Sequence, residues 1–84
     1  MSAPEILWVD DEIDSLKPQI IFLKGKGYNV TPFSNGHDAL EHLKDQPVDV
    51  VLLDESMPGL TGLETLSRIK DMQPALPVVM VTKN

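Results

Sequence analysis

The fold turns on one stretch, Val48-Asp49-Val50-Val51-Leu52-Leu53-Asp54-Glu55-Ser56-Met57-Pro58-Gly59. Five of its first six residues are apolar and three are Val, the pattern of a strand buried on both faces of a parallel sheet. At Asp54 the character changes: a carboxylate closes the run, and Met57, Pro58 and Gly59 turn the chain. In open α/β sheets, ligands bind outside the carboxyl ends of the strands. An acid there is read first as chemistry and second as a turn residue.

Upstream, Ile6-Leu7-Trp8-Val9 is a second buried strand, and it too ends in acids, Asp10-Asp11-Glu12. Ile13, Leu16, Ile20 and Leu23 then recur at helical spacing. Pro18 inside that pattern predicts a kink or a later helix start, and Gly25 and Gly27 close the helix, with Lys24 and Lys26 near its negative end. Residues 28–33 form a weaker strand, and Pro32, which lacks an N–H, assigns it to a sheet edge. Ser34 or Asn35 can cap the next helix, whose apolar face is Ala39, Leu40 and Leu43 and which Asp45-Gln46-Pro47 stops.

Downstream of the central stretch, Thr61-Gly62-Leu63-Glu64 matches a capping box. The helix it opens carries Leu63, Leu66, Ile69 and Met72 as its apolar positions. Pro74 and Pro77 bracket the connection to Val78-Val79-Met80-Val81, which runs into Thr82-Lys83-Asn84. The order is βαβαβαβ, which predicts an α/β domain: a doubly wound parallel sheet with helices on both faces.

Composition narrows the function. The 84 residues, 42% hydrophobic and 24% charged, suit a single small globular domain spanning residues 1–84. Seven Lys or Arg against thirteen Asp or Glu leave a net charge of -6, which argues against direct binding to nucleic acid or an anionic membrane. The absence of Cys excludes disulfides and thiolate metal sites. No signal-peptide pattern or membrane-length apolar run is visible, so a cytoplasmic location is expected.

Asp10, Asp11 and Asp54 all fall at carboxyl ends of expected strands, and so does Thr82. Carboxylates packed together repel unless a cation compensates, and an oxygen-only donor set points to Mg²⁺, with Mn²⁺ as a substitute. A carboxylate beside such an ion can attack phosphorus and form an aspartyl phosphate. Asp11 and Glu12 also suit the N-terminus of the following helix. His37 and His42 read as solvated, and Met57, Met72 and Met80 as packing residues.

These motifs together resemble the receiver domain of two-component response regulators. The features are the strand ending in Asp10-Asp11-Glu12, the Leu53-Asp54-x-x-Met57-Pro58-x-x-x-Gly62 stretch and Val79-Met80-Val81-Thr82, in matching order along the chain. The Ile6 to Glu12 opening is similar to a PorX-like subgroup whose receivers precede an alkaline-phosphatase-like effector. The resemblance implies a flavodoxin-like (CheY-like) fold. It also implies a phosphoacceptor at Asp54 that takes a phosphoryl group from a sensor histidine kinase. Asp11 and Asp54 would bind Mg²⁺ directly, Asp10 would act through water or by orienting the ion, and Ser56 would offer its main-chain carbonyl. Thr82 would bond the phosphoryl oxygen and act as the switch, while Ser56 and Asn84 would tune dephosphorylation.

The family continues through a further helix, a fifth strand bearing a Lys, and a last helix. The chain therefore reads as incomplete, with weakened Mg²⁺ binding, impaired phosphoryl transfer for want of that Lys, and a homodimer through an exposed sheet edge or face as expectations. Lys83 stands where the family usually has a small residue. The competing reading, a Mg²⁺-dependent phosphohydrolase with an Asp nucleophile, calls for a second acid two residues on, where this chain has Ser56. The expectation is a signalling domain rather than an enzyme.

Overall fold

The structure is a computed structural model that describes residues 3–82. Four strands, β1 (Glu5–Val9), β2 (Asn29–Phe33), β3 (Val50–Asp54) and β4 (Val78–Val81), form one parallel sheet in the order β2-β1-β3-β4. Helices α1 (Lys17–Gly25), α2 (Gly36–Asp45) and α3 (Gly62–Met72) make the crossovers. This is the expected doubly wound arrangement. Pro32 lies on β2, at the edge, where its missing N–H costs no ladder bond.

Strand alternation distributes the core between two faces. Leu7, Val9, Val51 and Leu53 point to one face and pack with Ala39, Leu40 and Leu43 of α2 and Ile69 of α3. Ile6 and Trp8 point to the other and pack with Ile20 of α1 and Val30 of β2. Burial on both sides of β3 is uneven. Val51 and Leu53 are fully buried, whereas Val50 and Leu52 are only partly so. Among the described elements only α1 and the 3-10 turn Ile13–Leu16 before it pack on their side, and Val79 on β4 remains 50% exposed.

The first helical pattern resolves into two pieces. Ile13–Leu16 is a 3-10 turn, and α1 begins at Lys17 with Pro18 in its first turn, where the absent N–H would have had no helical partner. The later start is thus the form the proline takes. Gly27, at φ +97°, then turns the chain toward β2. Asn35, rather than Ser34, caps α2 by accepting the Asp38 amide at 2.8 Å.

Helix α3 corrects the expected apolar stripe. Leu63 is 62% exposed and Met72 39% exposed, while Gly62, Thr65 and Ile69 are buried. Thr65 tolerates burial because its hydroxyl donates to the Thr61 carbonyl at 2.8 Å. His42 likewise departs from the solvated reading: it is half-buried, its ring 5.2 Å from that of Phe33.

The capping box is formed. Thr61 Oγ1 accepts the Glu64 amide and Glu64 Oε1 accepts the Thr61 amide, each at 3.1 Å. The bond from the Thr61 amide, and then that from its side chain, holds the Glu64 carboxyl below its ordinary pKa. A depressed carboxylate contributes stability that is present above its unfolded value and lost as pH falls through the lower folded value. Wild type is therefore expected to exceed Glu64→Ala in urea midpoint at neutral pH. That gap should close in acid below the carboxylate range, and a gap that widened instead would refute the assignment.

Candidate metal and phosphoryl site

Because β1 lies between β2 and β3, the chain leaves β1 in one direction for β2 and returns past it for β3. The sheet's topological switch therefore falls between β1 and β3, the place where a crevice opens at the strands' carboxyl ends. Asp10 follows β1 and Asp54 ends β3. Neighbouring strands thus deliver both acids to the switch point.

Each acid is oriented by its own local turn. Asp10 is fully buried. Its amide donates to the Phe33 carbonyl at 3.0 Å, its carbonyl accepts the Ile13 amide at 3.0 Å, and its Oδ1 accepts the Glu12 amide at 2.8 Å. Asp54 is 1% exposed, and its Oδ1 accepts the Ser56 amide at 3.1 Å. Both are side-chain-to-backbone bonds from residue i to i+2, which fix a carboxylate without recruiting a distant partner. The resemblance implies a carbonyl role for Ser56; the structure adds its amide, which holds the Asp54 carboxylate.

Asp11 is exposed, and it completes the cluster: one carboxylate oxygen from each of Asp10, Asp11 and Asp54 lies within 4.8 Å of the others. At an effective dielectric near 20, unit charges at such spacing repel by about 3–4 kcal/mol per pair. A dication between them reverses that sign. Hard oxygen donors, two of them on buried residues, suit Mg²⁺ by chemistry as well as by charge.

Register places the remaining candidates. Asp54 pairs with Val81 on β4, and the Glu55 amide donates to the Val81 carbonyl at 3.1 Å. Thr82, one residue further and exposed, thus sits at the same end of the sheet. Ser56 is exposed beyond Asp54, and Glu55 is exposed too. The expectations for Lys83 and Asn84 lie outside the described residues. His37 is exposed on α2 and does not join the acids in a metal-binding group.

Residues 6–84 match the family model of the response regulator receiver domain. The transcriptional regulatory protein ZraR of Escherichia coli (strain K12) is 41% identical over 78 residues, covering 93% of this chain and 18% of ZraR. The chain thus spans under a fifth of that relative's length. Among solved structures, the response regulator TrrA of Thermotoga maritima, in complex with Mg²⁺-BeF, superposes with a TM-score of 0.86 at 32% identity. That match covers 94% of this chain and 69% of TrrA. The chemotaxis protein CheY4 of Vibrio cholerae gives a TM-score of 0.91 at 27% identity, covering 99% of this chain and 71% of that one. No helix among the described residues is long and apolar enough to cross a membrane.

Proposed function

From the premise that this chain belongs to the response regulator receiver domain family, a family of phosphoacceptor signalling modules, we propose that Asp54 is its phosphoacceptor. The observation that carries this reading is the convergence of Asp10, Asp11 and Asp54 within 4.8 Å at the sheet's switch point, with Asp54 on the central strand. An Asp54 oxygen attacks the phosphorus of a phosphohistidine on a sensor kinase. The O–P bond forms as the P–N bond breaks, and the electron pair of that bond leaves with the imidazole.

Asp11 and Asp54 would hold Mg²⁺ directly, with Asp10 orienting it and the Ser56 carbonyl completing the protein's share; Mn²⁺ meets the same donors. When bound, the ion supplies positive charge opposite the phosphoryl oxygens. Thr82, one residue past Val81, would bond a phosphoryl oxygen and move with it. A phosphohydrolase reading lacks its second acid, since the position two residues past Asp54 is Ser56. The domain is read as a switch that biases an effector, not as a turnover enzyme.

Incubation with a small-molecule phosphodonor and Mg²⁺ is expected to add one phosphoryl group to the intact mass, and chelation of the metal to prevent it. A chain that binds Mg²⁺ yet never gains mass would sink the phosphoacceptor role. Self-association belongs to the same reading. Strand β4 is an edge of the described sheet, and half-exposed Val79 lies on it. Sedimentation is expected to show a dimer that Val79→Lys weakens; a monomer at all concentrations counts against it.

A further inference from the structure

Gly62 opens α3 and is buried, yet it is not one of the residues at positive φ, which are Gly27 and Gly59. Its backbone conformation is open to any residue. What it lacks is room. A Cβ on Gly62 would strike the Asp54 carbonyl oxygen and would lie 2.8 Å from Glu55 Cα and 2.9 Å from the Glu55 oxygen. All three are main-chain atoms, which have no rotamer by which to yield. The Gly62 amide also donates to the Glu55 carbonyl at 3.3 Å, so the first turn of α3 is held to the Glu55 main chain beside the acid.

From this contact we infer that Gly62 is a positioning residue: it lets α3 seat against the Asp54–Glu55 main chain and so sets where the Asp54 carboxylate stands. The consequence reaches the site through two bonds. One joins the Glu55 amide to the Val81 carbonyl, and the other joins the Ser56 amide to Asp54 Oδ1. Displacing the Asp54–Glu55 peptide strains both. The role rests on the reading of Asp54 as the acceptor.

Gly36 supplies the control. It is also buried at the start of a helix, and a Cβ there would strike Thr65 Oγ1 and lie 3.1 Å from Leu60 Cδ2. Those are side-chain atoms, one on α3 and one on the loop before it, so Gly36→Ala strains packing without pressing on the acid's backbone. Both variants should lose stability, because overpacking a filled site does so.

Amide hydrogen exchange at Glu55 and Ser56 and calorimetric Mg²⁺ titration separate them, with trimethylamine N-oxide added until circular dichroism shows the wild-type helix signal. Gly62→Ala is expected to speed exchange at both amides and to weaken Mg²⁺ binding, each by about tenfold or more, the scale of lost ligand-orienting contacts. Gly36→Ala should stay near wild type in both. Unchanged exchange or unchanged Mg²⁺ affinity in Gly62→Ala overturns the inference. A wild-type chain that binds no Mg²⁺ or gains no phosphoryl group overturns the acceptor reading instead, and the exchange comparison then decides Gly62 by itself.

Discussion

Asp54→Ala is expected to abolish phosphoryl gain outright, with the intact mass unchanged after phosphodonor and Mg²⁺ while circular dichroism stays that of the folded chain. Three carboxylates share the site, so the loss is specific only if the other two cannot substitute. Asp10 is fully buried and tied by its amide, its carbonyl and its Oδ1 to Phe33, Ile13 and Glu12. Asp11 lies exposed in the turn after β1. Asp54 alone ends β3, beside the β4 end that leads into Thr82. Removing its charge also relieves repulsion within the cluster, which favours retention of the fold. Asp10→Asn, by contrast, keeps the proposed nucleophile and is expected to slow uptake by about 10–100-fold through weaker metal binding. Residual gain in Asp54→Ala would move the acceptor to another acid.

Leu53→Ala is the second large effect, and it acts on the fold. Leu53 is fully buried, paired in register with Val9 on β1 and Met80 on β4, and it packs on the face that α2 and α3 cover. Truncation removes buried methyl groups and leaves a cavity that the neighbouring strands cannot close, at a cost of about 2–5 kcal/mol. Domains hold only about 5–15 kcal/mol in total, so a chain this short loses much of its margin. Leu52→Ala is the matched comparison, one residue away but half-buried on the side that α1 covers. Urea denaturation should show a clearly smaller loss for it. Equal losses would mean that the two faces of β3 are equally packed.

Much of this architecture was legible in particular residues. The run from Val50 to Leu53 marked the central strand, Pro32 marked the edge, and Thr61 with Glu64 marked the start of α3, because each rests on a local rule of backbone geometry or hydrogen bonding. The meeting of the acids was foreshadowed in the same way: Asp10 and Asp54 close apolar runs, and the ends of parallel strands converge. The resemblance to receiver domains added the roles.

The buried stripe of α3 was not legible. Leu63 and Thr65 are two residues apart and point different ways, and hydrophobicity favoured Leu63. The structure buries Thr65 because the Thr61 carbonyl satisfies its hydroxyl and because Gly36 of α2 approaches it closely. His42 found Phe33 in the same way, through a contact between elements rather than within one.

By itself, the sequence determined the element order, the edge strand, the capping box of α3 and the identity of the acids, all set by interactions among residues near one another in the chain. Tertiary structure alone decided that Asp10, Asp11 and Asp54 meet within 4.8 Å, that α1 and the 3-10 turn before it cover one face of the described sheet, and that Gly62 must lack a Cβ. Each of these depends on how closely separate elements approach, and close packing fixes that distance only once every element is in place.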